Sequence, residues 1–177
     1  MKKQLLFLCL VILAILPTCL HAQEKALPAQ TIMAEAYKKA TETNKKVLLI
    51  FHASWCGWCK KMDAAIQDET CQAFFNENFV IVHLTVDESA KKAYLENEGA
   101  ANLRDTYGGK GLGLPYWAFL DNAGKVLGDA RMPNGYNTGC PANKEEVQAL
   151  ITILQKTTTL SAKNLEIIST RFLKNAQ

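Results

Sequence analysis

The sequence predicts an α/β fold: a central mixed sheet flanked by helices, with extra helices at the N-terminal and C-terminal ends. Three observations predict it. Val47-Leu48-Leu49-Ile50-Phe51 is an unbroken apolar run with no polar alternation, the mark of a strand covered on both faces within a sheet. From Thr31 to Tyr107 helical periodicity alternates with strand-like runs, the pattern of strands joined by crossover helices. Asp121-Asn122-Ala123-Gly124 then separates two short strand-like stretches as an antiparallel hairpin, and a helical stretch follows.

Residues 1–22 read as an export signal. Lys2 and Lys3 give the positive start, and Leu5 to Leu16 is an apolar core shorter than the ~20 residues a bilayer-spanning helix needs. Pro17 breaks it, and small Ala22 is the expected last residue removed. Cys19 offers a lipoprotein alternative, the weaker reading because Pro17 and Thr18 fit poorly beside a lipid-bearing cysteine. Polar residues 23–30, with Pro28, read as a linker, 31–157 as the main domain and 158–177 as a C-terminal helical extension.

Within the domain, Ile32, Met33, Ala36, Tyr37 and Ala40 recur at helical spacing from Thr31 to about Asn44. A strand follows over Val47–Phe51, then a helix from Cys56 to about Gln67 with Met62, Ala65 and Ile66 inward. Thr70 is the expected N-cap of a short helix carrying Phe74 and Phe75. Phe79–Val86 reads as a strand, Ala90–Glu98 as a helix, and Leu103 and Tyr107 as a further helical turn or two. A glycine-rich loop, 108–113, leads to the hairpin Tyr116–Leu120 and Lys125–Leu127. After the irregular stretch Arg131–Ala142, Asn143 and Glu146 stand at capping-box spacing ahead of a helix from Lys144 to about Lys156. Leu165, Ile168 and Phe172 place a terminal helix within Leu160–Leu173.

Charge and cysteine usage narrow the function classes. Removal of residues 1–22 takes the formal +3 chain to +1, because Lys2 and Lys3 leave and no acid does. Nothing in that balance points to nucleic acid or an anionic membrane surface. Of the six cysteines, Cys56, Cys59, Cys71 and Cys140 remain. Export implies an oxidising compartment, where a dithiol stays reduced only if something reduces it.

Trp55-Cys56-Gly57-Trp58-Cys59-Lys60 places two cysteines three apart where a strand hands over to a helix. The first helical turn has N–H groups without intrahelical partners and a dipole favouring negative charge. A Cys56 thiolate there is drawn below the free value of about 8.5, into the range ~3.5–7.5. Cys59, one turn on, can close a disulfide back to it. Trp55 and Trp58 are expected to shield the pair and leave one sulfur facing a partner. An inert disulfide and half of a zinc site are the competing readings; zinc wants four ligands, and the sequence has no second close-spaced pair.

The run Phe51-His52-Ala53-Ser54-Trp55-Cys56-Gly57-Trp58-Cys59-Lys60 resembles the active-site segment of the thioredoxin superfamily, in particular exported bacterial thioredoxin-like proteins with tryptophan before the second cysteine. Leu114-Pro115-Tyr116-Trp117-Ala118-Phe119-Leu120-Asp121, followed by Gly124-Lys125, resembles that family's cis-proline loop, strand and hairpin. The two motifs lie about sixty residues apart in the right order, and the resemblance covers roughly residues 31 to 155. It implies a thioredoxin fold and thiol–disulfide exchange, with Cys56 as nucleophile and Cys59 as resolver. It also implies that a cis Pro115 packs against the dithiol while the Leu114 backbone pairs with an incoming peptide. Trp55, Gly57, Trp58 and Leu114 are the expected substrate-binding residues.

One departure stands out. The family keeps a buried acid on the central strand six residues before the first cysteine, and here that position is Ile50. His83 and His52 are the nearby groups able to titrate near neutral pH, although a lone strand histidine is more often a packed or surface residue. Cys71 and Cys140 are expected to pair or to stay as free buried thiols, with a second redox centre as the weaker reading. The resulting expectation is an exported thiol–disulfide oxidoreductase of the periplasm or cell envelope, reductase or isomerase rather than strong oxidase. It needs no metal and no cofactor beyond the dithiol. Its expected partners are cysteine-containing proteins and a membrane electron donor. The alternative is a redox-inert binding module for an envelope protein.

Overall fold

The computed structural model describes residues 25–176; the expected export signal and Cys19 lie outside them. The elements are α1 (Ala29–Glu42), β1 (Lys46–His52), α2 (Gly57–Ile66), α3 (Gln72–Asn78), β2 (Phe79–Thr85), a 3₁₀ turn (Ala90–Leu95), α4 (Ala100–Thr106), β3 (Tyr116–Leu120), β4 (Val126–Asp129), α5 (Lys144–Thr157), α6 (Ala162–Leu173) and a second 3₁₀ turn (Lys174–Ala176). No helix among the described residues is long and apolar enough to cross a membrane.

The sheet runs β2-β1-β3-β4. β1 pairs with β2 in parallel, Ile50 opposite His83, and with β3 antiparallel, Ile50 opposite Trp117. β3 and β4 close the hairpin antiparallel, with a register shift between Phe119 and Leu120. The apolar run 47–51 is buried throughout because β1 lies between two strands with helices above and below. On one face Tyr37 of α1 meets Tyr107 beside α4, their hydroxyls 3.0 Å apart. On the other a ladder of rings runs from Phe172 of α6 to Phe75, Phe79, Phe119 and Trp117, with centroids 4.9 to 6.4 Å apart. The last helix is therefore pinned to the sheet by aromatic contact. α5 reaches β4 where Gly128 leaves room: a Cβ there would meet Ile153 at 2.8 Å.

Several boundaries differ from those the sequence predicts. α1 starts at Ala29, inside the expected linker, and Lys25–Leu27 lie along the first 3₁₀ turn. Ala26 N–H donates to the Tyr94 carbonyl, Asn97 Nδ2 to the Leu27 carbonyl, and Lys25 pairs with Glu98 at 2.8 Å. The expected helix over 90–98 is a 3₁₀ turn ending at Leu95. Glu96 Oε1 accepts from Glu88 N–H and Asn97 Oδ1 from Thr85 N–H, which turns the chain back to the end of β2. Thr70 does not cap α3. Its hydroxyl donates to Asp68 Oδ1, and Cys71 takes the N-cap position. The capping box of Asn143 and Glu146 is present, and a second, Ser161 with Asn164, opens α6.

Candidate functional site

β1 delivers the chain through Ala53-Ser54-Trp55 to Cys56, the N-cap of α2. Cys56 is extended, φ −77° and ψ 102°, and its Sγ accepts the Cys59 N–H at 3.1 Å. A sulfur thus occupies the place of the capping oxygen that usually satisfies an unpaired N–H of the first turn. Cys56 and Cys59 form a disulfide across a Cα separation of 5.3 Å.

The surroundings correct the expected shielding. Cys56 and Cys59 are 3% and 2% exposed, whereas Trp55 and Trp58 are 60% and 49% exposed and stand out from the surface. Trp55 is drawn outward by its indole N–H, which donates to the Asp87 carbonyl at 2.8 Å. Trp58 carries the Lys61 ammonium over its ring, 4.8 Å from the centre. Ala53 and Leu114 cover the sulfurs instead. Gly57 opens α2 without any packing demand, since a Cβ there would meet nothing within 4 Å; the surface beside Cys56 stays clear.

The opposing loop is held in place from behind. The Leu114–Pro115 peptide is cis and Pro115 is buried. Asn137 Nδ2 donates to the carbonyls of Gly113, at 2.6 Å, and Pro115, at 3.1 Å, while its Oδ1 accepts from Gly139 N–H. The stretch Arg131–Ala142, read from sequence only as irregular, is thus the support of the proline loop. The turn before Cys56 has its own brace. Ser54 donates from its N–H and hydroxyl to the two Glu88 oxygens, at 2.5 and 2.9 Å.

Beside the dithiol runs an open groove of about 680 Å³ whose lining includes Trp58, Leu112, Leu114, Tyr136, Cys140 and Ala176. Tyr136 is 74% exposed and offers a second aromatic face to the groove that Trp58 also lines. A larger cavity, about 920 Å³ between α1 and α4, holds none of the sequence-predicted site residues.

Ile50 is fully buried, so no acid lies at that point of β1. An acid sits on α2 instead. Asp63, one turn beyond Cys59 on the same helical side, bonds His83 Nε2 through Oδ1 at 2.7 Å. The His52 ring packs edge-on to His83, centroids 5.2 Å apart, and its Nε2 meets the Thr85 hydroxyl at 3.2 Å. Burial first, and then His83, hold His52 below its ordinary pKa. The two histidines singled out in the sequence are therefore brought together; the parts played by Asp63, Asn137 and Glu88 were not read from the sequence. The i, i+4 spacing of Cys59 and Asp63 was the one available signal among these.

Cys71 and Cys140 are free and buried rather than paired with each other. Burial raises both thiols, Cys140 up to about 12.

Comparison with known proteins agrees with this geometry. A family model described as thioredoxin-like matches residues 29–122. A disulphide isomerase from Xylella fastidiosa Temecula1 is 21% identical and superposes with a TM-score of 0.50, covering 91% of this chain and 97% of its own. A DsbH oxidoreductase is 23% identical with a TM-score of 0.47, covering 75% of this chain and 88% of its own. The first shares the fold.

Proposed function

Because the chain belongs to the thioredoxin-like family, whose model spans more than half of it, we propose that it is an exported thiol–disulfide oxidoreductase acting on cysteine-containing proteins. The observation that carries the reading is the Cys59 N–H aimed at Cys56 Sγ at the start of α2. In the reduced protein the same amide and the helix dipole stabilise a Cys56 thiolate. That thiolate attacks one sulfur of a substrate disulfide. A Cys56–substrate disulfide forms, and the other substrate sulfur leaves as a thiolate. Cys59 gives up its proton, attacks Cys56 Sγ and releases the second substrate thiol, which leaves the Cys56–Cys59 disulfide. Two electrons have passed to the substrate, and a dithiol on a membrane electron donor restores the pair. Leu114 and Pro115 position the substrate; Trp55, Gly57 and Trp58 form the exposed surface it meets.

We assign the protein to the reductase or isomerase side and to the periplasm or cell envelope, the latter from residues 1–22. Insulin reduction with dithiothreitol tests the activity: wild type accelerates it and Cys56→Ser does not, whereas equal rates would defeat the reading. The mass of the exported protein tests the localisation, with Gln23 expected as the first residue; retention of residues 1–22 would count against it.

A second reading, a redox-inert binding module, is favoured by the near-complete burial of both sulfurs. Equilibration with glutathione separates the two. A disulfide that no glutathione ratio opens belongs to a scaffold.

A further inference from the structure

The C-terminal turn contains a buried polar side chain that the dithiol chemistry does not use. Asn175 is 5% exposed and engaged on every side. Its Nδ2 donates to Cys140 Sγ at 3.2 Å and to the Pro141 carbonyl at 3.1 Å, and its Oδ1 accepts from Arg171 Nη1 at 3.0 Å. Arg171 is fixed in turn by Asp68 on the far side of α2, Nε to Oδ2 at 2.5 Å. The Asn175 backbone carbonyl accepts from Lys61 Nζ at 2.8 Å, and the same ammonium lies over the Trp58 ring. One residue therefore joins α6, the loop before α5, and the turn of α2 that carries the tryptophan between the two cysteines. Its neighbour Ala176 lines the groove beside the dithiol.

A buried amide whose donors and acceptor are all engaged holds its partners in one arrangement, since releasing any of them leaves an unsatisfied polar group. The side-chain amide holds Arg171 and, through Cys140 and Pro141, the Tyr136–Cys140 side of the groove; the main-chain carbonyl of the same residue, kept in place by that amide, holds the Trp58 side through Lys61. From these contacts we infer that Asn175 is a positioning residue for the protein substrate. It sets the spacing between the Trp58 and Tyr136 walls, and so determines how tightly an extended polypeptide is held. The sulfur chemistry is left unchanged. The polypeptide it suits carries a bulky apolar side chain near its cysteine, because the two exposed walls are flat aromatic faces. The inference rests on the oxidoreductase reading and names the substrate feature that site selects.

The experiment compares wild type with Asn175→Ala and Lys61→Met on two substrates: insulin, which offers a polypeptide with bulky apolar side chains, and glutathione disulfide, which carries none. Asn175→Ala is expected to raise KM for insulin by about five- to tenfold with kcat unchanged. Glutathione disulfide kinetics and the Cys56 thiolate titration should not move. Lys61→Met, which removes the ammonium between the Asn175 carbonyl and the Trp58 ring but leaves the bonds of the Asn175 side chain in place, should raise the insulin KM by about threefold. Parallel losses on both substrates, or a shifted Cys56 titration, would overturn the positioning role while leaving the oxidoreductase reading standing. An unchanged insulin KM in Lys61→Met would overturn it too, and that variant decides alone if Asn175→Ala does not fold. A wild type inert toward both substrates removes the oxidoreductase reading, and this inference with it.

Discussion

Cys56 and Cys71 occupy the same nominal position, the N-cap of a helix, and both are buried. Their backbones differ. Cys56 is extended, and its Sγ lies under the Cys59 N–H. Cys71 is already helical, φ −117° and ψ −31°, and makes no side-chain capping bond. The Asp68 carbonyl accepts the N–H groups of Cys71 and Gln72, and the Cys71 sulfur lies 3.6 Å from the Thr70 hydroxyl. Burial accordingly pushes the Cys71 thiol up. A helix start thus favours a sulfur anion only where the residue ahead of it is extended enough to bring Sγ under an unclaimed N–H. Sequence position alone, and exposure alone, would have treated the two cysteines alike.

The largest expected effect breaks the comparison directly. Cys56→Ser should reduce insulin turnover by at least about a thousandfold, and Cys71→Ser should leave it unchanged; equal losses would mean that the capping geometry is irrelevant. Next comes alkylation of the reduced, folded protein near neutral pH. Iodoacetamide should modify Cys56 within minutes and spare Cys71 and Cys140 until denaturant is added, as peptide masses would reveal. Labelling of Cys71 at the Cys56 rate would contradict the contrast drawn above.

A smaller effect concerns Cys59, the resolving cysteine of the proposed mechanism. If Asp63 relays the Cys59 proton in place of an acid at Ile50, Asp63→Asn should prolong the Cys56–substrate mixed disulfide by about tenfold or somewhat more. An unaltered lifetime would leave Asp63 as a partner of His83 only. The smallest effect is on stability. His52 is held below its ordinary pKa by burial and His83, against the opposing pull of Asp63 and Glu88. The unfolded chain therefore binds a proton near the usual value while the folded chain does not. The associated stability is present above that value and is lost as pH falls through the lowered one. His52→Gln should flatten the decline of the urea midpoint as the pH is lowered below about 6.5. A decline as steep as wild type would assign it to other groups.

What could be read from the chain were the features encoded within a few residues of each other. The apolar run of β1, the dithiol after it, the hairpin around Asp121–Gly124 and the Asn143–Glu146 capping box are all of that kind. What could not be read depended on distant partners. α1 begins early because Ala29 N–H finds the Glu98 carbonyl, sixty-nine residues on. Thr70 does not cap α3 because its hydroxyl is turned to Asp68, an acid fixed by Arg171 from α6. At the site, Asn137 and Asn175 were single polar residues in unpatterned stretches, and their importance lies in carbonyls and a sulfur that only the fold brings to them.

The clasp of Asn137 on the carbonyls of Gly113 and Pro115 has one more consequence. Among the described residues, the main-chain groups of Leu114, between those two carbonyls and next to the sulfurs, bond to no other part of the protein. They form a one-residue stub of unfinished sheet. A visitor can complete it only by offering straightened main chain, which a well-folded protein keeps locked inside its own ladders. Under the proposed function, discrimination at this point would fall on how far a client has come undone rather than on which letters it is spelled with.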